Sequence, residues 1–256
     1  MREAGVTPNA VTYTNVIAAW CNHQDHASLQ RAEEILQEIL HTNATNSRGQ
    51  PVRPNAFTYS VVFGGLAKSD DPHAWRRALR YFRDVNRRYR LTGDVEIRPN
   101  VLLYTPVIQT LARSGSERAC LWAEKIFVEM RRRYTEEKDD SVRPNELTYC
   151  MAMLAVSRIN QADAPLRAQT LLEQMVQDDA ASTLSYNLAI ATWARSRHEN
   201  AAIKAHAILQ EMHSLHQKSD FRSARPNVAS YNTVLAAWSR SKDPRAAEKA
   251  LALLQE

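Results

Sequence analysis

Glycine is scarce in this chain, with six in 256 residues, and none is grouped into the kind of loop that cradles a phosphate. Only three cysteines occur, Cys21, Cys120 and Cys150. They form neither a Cys-x-x-Cys pair nor a disulfide framework, which points to a reducing compartment. No apolar run approaches the roughly 20 residues that a membrane-spanning helix needs, so no membrane partner is expected. No nucleophile motif and no recurring carboxylate pair is present, so no enzymatic activity, no catalytic residue and no small-molecule substrate is expected. Glu136, Glu137, Asp139 and Asp140 read as solvating charge in one loop. His206, His213 and His216 fall on one helix without an acidic or cysteine partner at ligand spacing, so neither a metal nor another cofactor is expected.

What is present is repetition. Asparagine, or serine once, stands four residues before a tyrosine six times: Asn9/Tyr13, Asn55/Tyr59, Asn100/Tyr104, Asn145/Tyr149, Ser182/Tyr186 and Asn227/Tyr231. Successive tyrosines are 46, 45, 45, 37 and 45 residues apart. Nineteen residues after each tyrosine stands an alanine: Ala32, Ala78, Ala123, Ala168, Ala205 and Ala250. Seven after it comes a large apolar residue, Trp20, Leu66, Leu111, Val156, Trp193 and Trp238, assigned to core packing. A fixed period in this range marks a stacked array whose units bury their apolar faces against neighbours. With 44% hydrophobic and 24% charged residues the chain has ample material for such a core, and its net charge of +5 permits a polyanionic partner.

Each unit reads as a helical hairpin. Pro-Asn ahead of an apolar helical period is a start signal, since the residue before proline avoids the helix and asparagine is a preferred N-cap. Tyr13, Val16, Ile17 and Trp20 share one face of the first helix. After a polar break a second helix carries the alanine, whose small side chain lets helices approach closely. The units span about 10–55, 56–100, 101–145, 146–182, 183–227 and 228–256, with the last incomplete and 1–9 the tail of an earlier unit, so the chain reads as one array and as a fragment.

The phrases Val228-Ala-Ser-Tyr-Asn-Thr-Val-Leu235 and Ala123-Glu-Lys-Ile-Phe-Val-Glu-Met130 resemble the pentatricopeptide repeat family along essentially the whole chain. A tetratricopeptide array would use the same packing, but its signature differs. The resemblance implies an all-α fold, a right-handed α-solenoid superhelix of helical hairpins. It also implies sequence-selective binding of single-stranded RNA in a mitochondrion or plastid, for RNA processing, stability or translation. A helical scaffold that holds a protein partner, such as a ribosome-associated or assembly factor, is the second reading. An array tethering a hydrolytic domain is a third. The family period is shorter, and the excess here falls in polar stretches, 41–51, 87–96, 131–142 and 213–224, read as extended second helices and longer loops.

By the same resemblance the residue after each tyrosine and the asparagine closing the repeat read one base. These pairs are Thr14 with Asn55, Ser60 with Asn100, Thr105 with Asn145, Cys150 with Ser182, and Asn187 with Asn227, while Asn232 stands alone. The implied target is A-A-A-N-(C/U)-N. Two residues before the tyrosine, Val11, Phe57, Leu102, Leu147, Leu184 and Ala229 resemble the family's base-wedging position. Nine after it, Lys68, Arg113, Arg158, Arg195 and Arg240 repeat a positive charge suited to phosphates. Cys21, Ala67, Ala112, Ser157, Ala194 and Ser239, eight after it, are small enough to let a strand approach. Arg53, Arg98, Arg143 and Arg225, ahead of Pro-Asn, are further phosphate candidates.

Overall fold

The computed structural model describes residues 7–23, 25–41, 52–218 and 224–255. Most of the polar stretch 41–51, part of 213–224, and residues 1–6 of the expected tail lie outside them. Among the described residues there are twelve α-helices and no strand. The first helices of successive hairpins are α1 (Ala10–Asn22), α3 (Ala56–Lys68), α5 (Val101–Arg113), α7 (Glu146–Arg158), α9 (Thr183–Arg195) and α11 (Val228–Ser239). The second helices are α2 (His26–His41), α4 (Ala74–Thr92), α6 (Glu117–Thr135), α8 (Ala164–Gln177), α10 (Ala201–Lys218) and α12 (Ala246–Gln255).

The starts follow from capping chemistry. Asn9, Asn55, Asn100, Asn145, Ser182 and Asn227 each have extended backbone, and each side-chain oxygen accepts a hydrogen bond from an orphan amide of the first turn. In four of the six a Thr or Ser at the third helical position bonds back to the N-cap amide, a short-chain version of the capping box. At the far end of α4, Gly93 takes the left-handed conformation (φ 64°) that closes a helix without a Cβ penalty.

The hairpins group into two compact units, 1–144 and 145–256. In the first, α1 packs on α2 and α3, and α3 and α4 both pack on α5. In the second, α9 is the centre, touching α7, α8, α10 and α11. The cores are built from the positions that recur in the sequence: Ala32, Ala78, Ala123, Ala168 and Ala205 are fully buried, as are Tyr59, Tyr104, Tyr149 and Tyr186. At Gly65 an added Cβ would sit 2.8 Å from Cys21 Sγ, so α1 and α3 meet too closely there for any side chain. Each buried tyrosine hydroxyl is tied to a charged residue of its own second helix or just beyond. Tyr59 pairs with Arg88 (3.3 Å), Tyr104 with Arg133 (3.2 Å), Tyr149 with Asp178, and Tyr186 with Glu211 (3.4 Å).

Two expectations need correction. Trp20 is 38% exposed, whereas Trp193 and Trp238 are buried. Trp238 Nε1 donates to His206 Nδ1 on α10, the second helix of the preceding hairpin, and no described helix precedes α1 to give Trp20 such a wall. The extra length of two repeats is also more ordered than a loop. Helices α4 and α6 run for 19 residues against 14 in α8. A 3₁₀ turn then follows, at Val95–Ile97 or Asp140–Val142, capped by Asp94 or Asp139 and anchored by buried Ile97 or Val142.

Candidate nucleic-acid interface

The residue two before each tyrosine is rotated by about 200° from it on a helix of 3.6 residues per turn, so burying the tyrosine forces its neighbour outward. Val11, Phe57 and Leu102 in the first unit are 63%, 58% and 52% exposed. Leu147 and Leu184 in the second are 45% and 51% exposed, and Ala229 is exposed as well. Each unit thus carries three of these small or large apolar groups on the first turns of its first helices. Isolated exposed apolar residues are ordinary, but the same position exposed in every repeat is a patterned surface.

The closing asparagines stand in the same turns. Asn145 and Asn227 are exposed, and Asn55 and Asn100 half-buried. Capping uses the carbonyl oxygen of each, and among the described residues the NH2 donors are not engaged.

Three of the five expected pairs come together. Thr14 Oγ1 lies 2.8 Å from Thr58 Oγ1, which is 3.0 Å from Asn55 Oδ1. Cys150 hydrogen-bonds Ser182. Asn187 Nδ2 donates to Asn227 Oδ1 at 3.4 Å, and Ser230 Oγ donates to Asn187 Oδ1 at 2.6 Å. Ser60 and Asn100 share no hydrogen bond; Ser60 Oγ donates to Phe57 O instead. Thr105 and Asn145 belong to different units.

Direct base contact by Thr14, Thr105 or Cys150 is not compatible with their placement. All three are buried, as is Ser182. Thr14 spends its hydroxyl proton on Ala10 O (2.8 Å), and burial, with a smaller contribution from Glu146, pushes the Cys150 thiol up to about 12. Ser60 and Asn187 are half-buried, and Asn232 is exposed. The small residues Cys21, Ala67, Ala112 and Ala194 are likewise buried in helix contacts rather than open to a strand; Ser157 is half-buried and Ser239 exposed.

Lys68, Arg113, Arg158 and Arg195 occupy the last turns of α3, α5, α7 and α9, and Arg240 caps α11; all are exposed. They lie about 16 Å along the helix axis from the apolar first turn. Arg195 Nε donates to Ala191 O (3.3 Å), and Arg240 donates to Ala236 O (3.0 Å) and across to Ala194 O of α9 (2.9 Å). These two side chains therefore also satisfy helix-end carbonyls. Arg53, Arg98, Arg143 and Arg225 are exposed, and Arg98 pairs with Asp139 at 3.0 Å.

The bridging hydroxyl at the third helical position is a participant that the pairing scheme omitted. Thr58 and Ser230 each link the asparagine below them to the preceding repeat, and the signal was visible as Thr or Ser immediately before five of the six tyrosines. Near the histidines, His213 Nε2 lies 2.7 Å from the Tyr231 hydroxyl and His206 stacks edge-on against Trp238. Among the described residues no cluster of ligating side chains has metal-site geometry.

No protein-family model matches the sequence. No curated protein matches it either. Among solved structures, all of this chain aligns with 30% of the crystal structure of the pentatricopeptide repeat protein PPR10 from maize, at 22% identity and a TM-score of 0.56. The same protein in complex with an 18-nt psaJ RNA element aligns over all of this chain and 41% of that one, at 18% identity and a TM-score of 0.35. The first likeness establishes a helical-repeat solenoid of the pentatricopeptide type, and this chain spans under a third of that protein's length.

Proposed function

We propose that this pentatricopeptide-type solenoid binds single-stranded RNA along the first helices of its hairpins. The observation that carries the reading is the ladder of exposed apolar side chains, from Val11 to Leu102 in one unit and from Leu147 to Ala229 in the other, each beside a capping asparagine. Bases released from a stack find an apolar surface on such side chains, and successive helical repeats offer it at regular intervals. The asparagine NH2 donors meet acceptors on a base edge. The basic residues at the opposite ends of the same helices attract the backbone. In this arrangement a nucleotide lies across a first helix, base toward its N-terminus and phosphate toward its C-terminus.

Selectivity in this reading rests on the asparagines together with Ser60, Asn187 and Asn232. Thr14, Thr105 and Cys150 act beneath the surface, by holding consecutive hairpins in register. The target implied by family usage, A-A-A-N-(C/U)-N, and a role in organellar transcript processing, stability or translation belong to the same proposal. Selection of bound RNAs from a randomised pool tests affinity and preference together. A parallel selection with Asn100→Asp, which keeps an N-cap but replaces the NH2 donors by an acceptor, is expected to move the preference opposite Ser60 from adenine toward guanine. Equal binding to every single strand by both proteins would reduce the interaction to charge alone.

A further inference from the structure

The residues that lengthen two repeats build a second surface, on the second helices of the first unit. Between α4 and α6 lies an open groove of about 810 Å³. Its floor is apolar, with Leu79, Phe82 and Ile126 at the bottom beside Tyr104. Its two walls differ in charge. On α6 the acidic groups are matched: Arg132 binds Glu129 (3.0 Å) and Glu137 (2.7 Å), and Arg133 binds Asp139 (2.5 Å). On α4, Arg83, Arg87 and Arg90 follow one another at helical spacing along one stripe, all exposed, and none is in an ion pair among the described residues. Arg83 lies flat on the Trp122 ring, 4.2 Å from its centroid, which fixes the head of that stripe across the groove.

The groove is part of the repeat. One repeat earlier a smaller one of about 470 Å³ separates α2 and α4, lined at the same positions by Tyr59, Tyr81 and Arg88. Helix α8 of the short repeat ends at Gln177, before the position equivalent to Arg90, and cannot form the arginine wall.

We propose that the groove between α4 and α6 docks an acidic, amphipathic segment of a partner protein, and that the added residues of these repeats serve to build it. A polyphosphate backbone fits less well, because it brings no apolar face to the floor and meets three carboxylates on the α6 wall. A segment with carboxylates along one side and aliphatic or aromatic residues along the other satisfies both at once. The proposal is independent of RNA binding on the first helices.

The test uses a fluorescein-labelled synthetic helical peptide with a glutamate face and a leucine and tryptophan face, a scrambled peptide of the same composition, and oligoadenylate as competitor. Wild-type protein is expected to bind the patterned peptide and not the scrambled one. The variant Arg87→Glu/Arg90→Glu, which leaves the Arg83–Trp122 contact intact and is checked by thermal melting, is expected to bind it about tenfold or more weakly with RNA affinity unchanged. Equal binding of the scrambled peptide, no binding of either, or an unchanged affinity in the variant would overturn the proposal. So would displacement of the peptide by oligoadenylate with loss of RNA binding in the variant, which would make the groove an RNA track.

Discussion

Thr14 and Thr58 stand 44 residues apart in sequence and 2.8 Å apart through their hydroxyls, and Thr58 in turn caps the start of α3 with Asn55. The contact couples the entry of one hairpin to the body of the one before it. Thr14→Val keeps the shape and removes one buried hydroxyl from the chain. It is expected to lower stability by about 1 kcal/mol in urea unfolding. Thr58→Ala, which also loses part of the cap, should cost about twice that. If the two changes proved additive in the double variant, the hydroxyl pair would not be the link between hairpins.

Gly65 sets the distance between α1 and α3. Alanine there would gain up to about 1 kcal/mol of helix propensity, yet its Cβ would stand 2.8 Å from Cys21 Sγ and 3.2 Å from Leu29 Cδ1. Overpacking of this kind costs roughly 1–3 kcal/mol, so the expected net result is a loss of stability. Cys21→Ala in the same chain removes the nearest atom and should recover part of that loss, whereas Cys21→Ala alone should destabilise. A Gly65→Ala variant more stable than wild type would show that the helices separate without cost.

Asp139 joins three groups at the end of the long repeat, Arg98 at 3.0 Å, Arg133 at 2.5 Å and the Ser141 hydroxyl at 2.6 Å. Burial alone would raise its carboxyl, but these hydrogen bonds outweigh it and hold the group at about 2. A folded-state value below the unfolded one stabilises the protein above the ordinary carboxylate range, and that contribution fades as pH falls from about 4 toward 2. Asp139→Asn is therefore expected to lose on the order of 1–2 kcal/mol at neutral pH, with the gap to wild type closing through that acid window. Urea midpoints measured against pH decide it; a gap constant down to the lowest pH would assign the loss to packing.

The sequence carried the parts of this structure that repeat within it. Pro-Asn marks every first-helix start because proline holds the chain extended and asparagine satisfies the orphan amides, and both effects are local. The recurring tyrosine and alanine are core because their helical spacing gives them one face. Trp20 has the same spacing, but its burial depends on a neighbouring hairpin, which no local pattern encodes. Likewise Thr14 and Thr105 look like surface hydroxyls beside the tyrosine, and their burial follows from how closely the next first helix approaches. The α4 and α6 groove was the least legible feature, since its walls come from residues about 45 positions apart whose charges each read as solvated helix surface.

The exposed apolar ladder separates binding from stability more cleanly than any buried position. Phe57 and Leu102 are 58% and 52% exposed, so Phe57→Ser/Leu102→Ser is expected to leave the unfolding free energy within about 0.5 kcal/mol per site. If each side chain supports a base, RNA affinity should fall by roughly 1–3 kcal/mol for each one removed, read by fluorescence anisotropy with an adenine-rich single strand. Val128 is similarly exposed, at 59%, but lies on α6 among the second helices, so Val128→Ser should leave RNA affinity unchanged. Equal weakening by all three substitutions would mean that RNA responds to general surface hydrophobicity. No weakening by the ladder pair would remove the first helices from the RNA interface.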